Sequence, residues 1–304
     1  MTRIGRRGFV KAAAGAALGA GLASTAHGLP RTAAADELPM PKRRLGKIGY
    51  QTSIFSLGGL LPDERDEAAA IVNRALDLGV NYIDTAASYS DGVSEANIGS
   101  VMRDRRDEVF LATKTRVQTD DGIEHEAFEK SCENLQTDYL DLYFLHAVHT
   151  MEHLDTVMDR ETGAIRAFER LREKGRIGNI GISSHTSAVL IEAINRYDFD
   201  CVFVTLNPAG RSMNDPEKLR DLLALAEDRD IGVVGMKIVG SGRIFEYNIT
   251  LEEAMNYALS LPIATANVGI SSPEFLEADV RAAKQFKRYD EGTMAELEKR
   301  ARAR

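Results

Sequence analysis

Short apolar runs alternate along the chain with longer stretches whose apolar residues recur every three or four positions. The runs predict strands at Ser53–Leu57, Asn81–Asp84, Val109–Lys114, Tyr139–His146, Asn179–Ser183, Cys201–Leu206, Ile231–Met236 and Thr265–Gly269. The periodic stretches predict helices over Arg65–Leu78, Ser94–Met102, Glu124–Leu135, Thr162–Lys174, Ser187–Asn195, Pro216–Asp228, Leu251–Leu259 and Pro273–Phe286. Strand followed by helix, repeated, is the pattern of parallel βα units rather than of hairpins. From the second strand on, the runs end at residues 84, 114, 146, 183, 206, 236 and 269, one βα unit apart each time. Such a series predicts an α/β fold, a closed (β/α)8 TIM barrel, with a doubly wound open sheet as the alternative. Glycines stand at the helix-to-strand joints LDLGVNYID, REKGRIGNIGIS and AEDRDIGVVGM, where a left-handed residue closes a helix.

The N-terminus breaks this pattern. Met1–Lys11 reads MTRIGRRGFVK, a mild apolar stretch fills Ala12–Ala23, and small residues offer cleavage after Ala26 or Ala35. That order is the one of an export signal, and the adjacent Arg6 and Arg7 point to the twin-arginine route. The apolar stretch is too short to span a bilayer, so no stable membrane anchor is expected. The expected organisation is a cleavable signal segment over 1–35, a hairpin or extension over 36–52, a single barrel domain over 53–286 and a tail over 287–304. The basic end EKRARAR is expected as a solvated helix or frayed tail. The expected location is the periplasm or the extracellular space, with the twin-arginine export machinery as a partner.

Composition sharpens this outline. The 304 residues include 46 acidic and 38 basic side chains, a net charge of −8, with 44% hydrophobic and 28% charged residues. These are ordinary globular proportions, and the acidic excess excludes a generally basic nucleic-acid binder. Residues 1–35 hold five basic residues and no acid, so without them the chain has 269 residues and a charge near −13. Two cysteines exclude a disulfide scaffold and a thiolate zinc cluster, and Cys132 and Cys201 fall in different layers of the predicted barrel.

Chemistry in such a barrel belongs to the C-terminal strand ends. The polar residues there are Asp84, Lys114, His146, Ser183, Ser184, His185, Asn207 and Lys237. Solvated barrel rims carry charged residues without any function. Asp84, Lys114 and His146, however, end three consecutive strands, which brings an acid, a base and an imidazole into one sector. His146, His149 and His153 lack both helical spacing and a specified carboxylate partner, so no metal is expected.

The segment ALDLGVNYIDTAASYSDGVSEANIG (Ala75–Gly99) resembles the signature of the aldo/keto reductase family, in which a strand ends in Asp-Thr-Ala and a tyrosine follows. RRLGKIGYQTSIFSLGG is similar to the family's opening hairpin and first strand, FLATKT to its lysine strand and DYLDLYFLH to its histidine strand. LREKGRIGNIGISS resembles the fifth repeat and ISSPEFLEADV the eighth, so the likeness runs over residues 43–286 in order. The resemblance implies a catalytic tetrad of Asp84, Tyr89, Lys114 and His146. Physically, a phenol with a pKa of about 10 is a poor acid until a nearby ammonium stabilises its phenolate. Lys114 would then tune Tyr89 as general acid, Asp84 would fix Lys114, and His146 would orient the carbonyl.

The same resemblance implies a nicotinamide dinucleotide lying across the barrel mouth, since no side chain supplies a hydride. Matching positions place Gly59, Asp84, Ser183, Ser184, Asn207, Met236, Lys237, Gly269, Ser271 and Ser272 at the cofactor. Several depart from the family pattern. Ser184 replaces the usual asparagine on the carboxamide, and Met236 an aromatic ring on the nicotinamide face. Gly269 and Phe275 stand where a lysine and an arginine usually select the 2′-phosphate, and Ala278-Asp279 where a Glu-Asn pair meets adenine. Ser271 and Ser272 precede a helix whose N-terminus can receive a phosphate. NADP(H) is favoured over NAD(H) by a slight margin, from the family pattern alone.

The expected function is therefore nicotinamide-dependent reduction of a carbonyl, or oxidation of an alcohol. The alternatives are a cofactor-binding accessory or redox-sensing protein, and a cofactor-independent barrel hydrolase or lyase using Asp84. Export of such an enzyme implies a cofactor loaded before translocation and retained. The loops 147–161 and 239–250 are expected to wall the pocket. Only 18 residues follow Phe286, which suggests an open pocket for a bulky or sugar-like ligand.

Overall fold

The computed structural model describes residues 38–59 and 61–302, so the expected export segment lies outside the described residues. The first elements are two short antiparallel strands, β1 (Lys42–Arg44) and β2 (Gln51–Ser53), paired Lys42 to Ser53 and Arg44 to Gln51. The apolar run expected as one strand over Ser53–Leu57 is divided at Ile54. Asn81 is the cause: its Oδ1 accepts from the Ser53 N–H at 2.7 Å, and its own N–H donates to Ser53 Oγ at 3.1 Å. The hairpin thus ends at Ser53, and the chain turns into β3 (Phe55–Gly58).

Seven further strands follow: β4 (Tyr82–Asp84), β5 (Phe110–Thr115), β6 (Leu140–Leu145), β7 (Ile177–Ser184), β8 (Cys201–Thr205), β9 (Gly232–Met236) and β10 (Thr265–Gly269). They form one closed parallel barrel in chain order, and the β10–β3 pairing, Ala266 to Phe55 through Gly269 to Gly58, completes the ring. The expected (β/α)8 architecture is therefore the observed one.

The outer layer comprises α1 (Arg65–Asp77), α2 (Val93–Arg105), α3 (Glu129–Leu135), α4 (Met151–Val157), α5 (Ala164–Glu173), α6 (Ser187–Arg196), α7 (Leu219–Asp228), α8 (Leu251–Ser260), α9 (Pro273–Lys284) and α10 (Glu291–Arg302). Four of them, α1, α4, α8 and α9, start at a side chain that accepts from an otherwise unpaired N–H group. At α8, Thr250 and Glu253 form a reciprocal capping box; at α9, Ser272 accepts from the Phe275 N–H and Pro273 occupies the first turn. The helix expected over 124–135 opens instead with a wide π-type turn, Ile123–Phe128, before α3. Helix α4 lies within the expected pocket loop 147–161, with Thr150 as its cap and Leu154 and Val157 buried. The C-terminal stretch is no frayed tail: α10 buries Met294, Leu297 and Ala301, and Arg300 pairs with Glu253 of α8 at 2.6 Å.

Two apolar bodies hold the fold. The larger lies between barrel and helices, and the smaller fills the barrel with Leu45, Tyr82, Phe110, Ala112, Leu142, Phe144, Cys201, Phe203, Val234 and Ala264. Leu45, fully buried, seals the base. The chain beside it passes so close to β9 that a Cβ on Gly46 would stand 2.2 Å from the Gly232 nitrogen. Gly46 also has φ +45°, so both space and backbone require glycine there. Cys132 and Cys201 are free, buried thiols, one in each apolar body.

Candidate active site

Strand β4 ends at Asp84 and β5 carries Lys114 one residue from its end, so adjacent strands place the two side chains together at the mouth. Both are 1% exposed, and the Lys114 ammonium donates to Asp84 Oδ2 at 2.5 Å and to the Thr85 carbonyl at 2.7 Å. The loop after β4 stays on this frame: the Ala87 N–H donates to the Lys114 carbonyl and the Tyr89 N–H to the Ala86 carbonyl. Tyr89 is thereby returned to the mouth, with Lys114 Nζ 5.0 Å from its ring centroid. Lys114 Nζ stands equally 5.0 Å from the ring of Phe203 on β8. His146, just past β6, meets Tyr89 edge-on with ring centroids 5.9 Å apart.

Burial and charge set the protonation of this group. Burial pushes the Asp84 carboxyl up to about 6, against the opposite pull of Lys114. Burial acts downward on Lys114, but Asp84 and then Tyr89 outweigh it and raise the ammonium above its ordinary value. His146 is held down to about 2 by burial first, then by Lys114, Arg116, His149 and His185. It is a neutral imidazole at physiological pH, and its enclosed Nδ1 has no protein partner. Asp84 Oδ1 is likewise unpartnered and buried. The four residues of the expected tetrad therefore converge, with a fixed cation beneath a half-buried phenol and a neutral imidazole at its edge.

A cavity of about 390 Å³ opens beside them, lined by strand ends of β3, β4, β8, β9 and β10. It brings together Gly59, Asp84, Tyr89, Met236, Lys237, Gly269 and Ser271 from the sequence expectation. Val239 and Ser241 line it from the loop 239–250 expected to wall the pocket, and Phe203 and Asn267 line it as well without having been expected. Of these, Phe203 had a faint signal, since alternation along CVFVT puts it on the same face as Cys201. Lys237 is half-buried with φ +61°, and burial and Lys114 lower its pKa. Such a left-handed lysine at a cavity wall is held by its surroundings rather than by its own preference. Here its carbonyl accepts from Asn207 Nδ2 at 3.3 Å.

The remaining expected cofactor residues sit elsewhere. Ser183 Oγ accepts from the Ala147 N–H at 2.9 Å and faces the Leu145 carbonyl at 3.3 Å, tying β7 to the loop after β6. Ser184 Oγ accepts from the Thr186 N–H at 2.9 Å and stands 3.3 Å from His149 Nδ1. Asn207 pins the turn to Arg211 through both ends of its amide, and Ser272 caps α9. The hydroxyl of Ser94 donates to the Gly59 carbonyl at 2.6 Å and contacts Thr85 Oγ1 at 2.7 Å, so β3 is locked to the tyrosine loop. No group of three or more His, Cys, Asp or Glu side chains among the described residues forms a metal site.

The residues at the mouth suit a nicotinamide group. Phe203 and Met236 offer apolar walls, Lys237 a cation, and the lining Asp84 has a buried Oδ1 without a protein partner. Comparison with known proteins agrees with that chemistry. Residues 55–297 match the profile described as the aldo/keto reductase family. An uncharacterized oxidoreductase, YqkF of Bacillus subtilis, is 34% identical over 219 residues, 68% of this chain and 67% of that protein. L-galactose dehydrogenase of Arabidopsis thaliana is 26% identical over 67% of each chain. Among solved structures, aldo-keto reductase AKR11C1 from Bacillus halodurans in its holo form superposes with a TM-score of 0.71. Its sequence is 26% identical, and the match covers 87% of this chain and 97% of that one. With the fold, the mouth and these matches in agreement, the chain belongs to the aldo/keto reductase family, whose members reduce carbonyls and oxidise alcohols with NAD(P)(H).

Proposed function

We propose that Asp84, Tyr89, Lys114 and His146 carry the reaction, with Tyr89 as the acid that protonates the nascent alkoxide. The observation that supports this is the Lys114–Asp84 pair buried under the Tyr89 ring. When bound, the nicotinamide dinucleotide supplies the hydride. The protein's part is to place the carbonyl oxygen between Tyr89 and His146. Neutral His146 donates a hydrogen bond to that oxygen without competing as an acid. As charge develops there, Tyr89 gives up its hydroxyl proton. Lys114, its own proton held by Asp84, stabilises the phenolate that remains. In alcohol oxidation the same groups run in reverse, with the Tyr89 phenolate taking the proton.

For the cofactor we favour NADPH over NADH by a slight margin. Lys237, Ser241 and Ser271 line the cavity as candidate contacts for its phosphates and amide. The substrate is a small carbonyl or sugar-like compound, as the name of the Arabidopsis relative suggests for that protein. We further propose that the enzyme acts outside the cytoplasm, delivered by the twin-arginine route, because Arg6-Arg7 precede a mild apolar stretch and small residues. Tyr89→Phe tests the catalytic assignment. Turnover of a carbonyl panel should fall to background while NADPH affinity, followed by nucleotide fluorescence, stays within about twofold. Activity surviving in that variant would refute the tyrosine acid.

A further inference from the structure

The mouth divides into two sectors of unlike chemistry. The cavity beside the tetrad draws its walls from β3, β4 and β8–β10 and the loops after them. The ends of β5, β6 and β7 contribute nothing to it. They contribute instead Arg116, His146 with His149, and His185. Arg116 is rooted beside the site, two residues past Lys114, where the His146 N–H donates to the Thr115 carbonyl at 2.9 Å. It is exposed and has no hydrogen bond or ion pair among the described residues. Elsewhere on this acidic chain arginines are commonly paired, as Arg105 is with Asp77 and Glu108 and Arg170 with Asp120 and Glu124.

The histidines of this sector have a defined protonation. The His185 backbone N–H donates to His149 Nδ1 at 3.1 Å, so that nitrogen carries no proton. Burial, His153 and Arg116 lower the His149 pKa from its ordinary value, and with Nδ1 accepting, the proton of the neutral ring is on Nε2. The ring of His185 lies 4.7 Å from it, lowered to about 4 by burial, His149 and Lys237. The charged groups acting on His146 are Lys114 and Arg116, both cations. This half of the mouth is thus a set of imidazole N–H donors beside one unpaired guanidinium.

Resting on the reductase reading above, we propose that the carbonyl compound turned over here carries an anionic oxygen group, a carboxylate or a phosphate, bound by Arg116 and His149. A planar guanidinium at the rim whose charge acts on both His146 and His149, together with the His149 N–H, matches such a group.

Matched substrate pairs test this: 4-oxobutanoate against butanal, and glyceraldehyde 3-phosphate against glyceraldehyde. The anionic member of one pair should have a kcat/KM at least about tenfold higher, and the responding pair identifies the group. In Arg116→Gln that preference should collapse toward unity through KM, and in Arg116→Lys it should survive in part. Raising ionic strength should erode it in the wild-type enzyme. Equal turnover within both pairs, or a preference untouched in Arg116→Gln, overturns the proposal alone. Absence of turnover on all four compounds overturns the reductase reading together with it.

Discussion

Asp84 and His146 both lie beside Lys114, yet their surroundings separate them on the pH scale. Asp84 takes up a proton near pH 6, whereas His146 stays neutral down to about 2. Below pH 6 Lys114 loses the carboxylate that fixes it, so kcat/KM should fall as pH drops through that value. The limb should keep its midpoint in His146→Gln, although the rate falls, and should vanish in Asp84→Asn. A midpoint that moves with the histidine would transfer the titration to it. These positions were legible in the sequence because each is a polar residue closing an apolar run. The role of Ser183 was not. Its hydroxyl is taken by the Ala147 N–H, and Ala147 sits at φ +63°, a backbone turn for which an alanine gives no signal.

Elements were legible in proportion to their length. Helix α5, with five buried residues along Ala164–Glu173, has a periodicity that sequence alone reveals. Helix α4 has only Leu154 and Val157 on its buried face, too few to distinguish it from a loop. The bend at Ile54 escaped for a different reason. It depends on Asn81, which lies 28 residues from Ser53 and meets it only in the folded chain. The C-terminal helix was visible as a charged stretch, but its partner was not. Met294, Leu297 and Ala301 lie along one face of α10, and Tyr257 on α8 donates to Glu298 at 2.8 Å. Leu297, 4% exposed, should therefore behave as a core residue. Leu297→Ala should cost about 2–5 kcal/mol of unfolding free energy in urea titration. A loss below about 0.5 kcal/mol would reduce the helix to a surface appendage.

At the scale of the molecule, the spacing of runs counted the βα units but left closure open. Closure comes from β10 meeting β3 across more than two hundred residues, in a register that apolar periodicity does not encode. Charge belongs to this scale too. Without residues 1–35 the chain carries a charge near −13, which repels an anionic ligand at long range, so the cations that bind one must be close to it. Lys237 and Arg116, in different sectors of the mouth, are the cations proposed for that role. Delivery outside the cytoplasm also has a whole-chain test. Arg6→Lys with Arg7→Lys should leave the protein in the cytoplasm, measured by fractionation and immunoblotting. Unchanged export of that variant would discard the twin-arginine route. Protein recovered from the envelope should still contain nicotinamide dinucleotide.

The seal at the base has a directional consequence. Leu45 and the hairpin close the end of the barrel where strands begin. Lys47 N–H donates to the Asp230 carbonyl, and Arg43 reaches the Ile263 and Leu259 carbonyls, all ahead of β9 and β10. The hairpin thus lies on the face opposite the one where Tyr89 sits. A protein attached to a support through this hairpin face would hold Tyr89 outward, so coupling there should cost little activity. Coupling through the loops around residues 147–161 or 239–250 would bring the support against the opening itself.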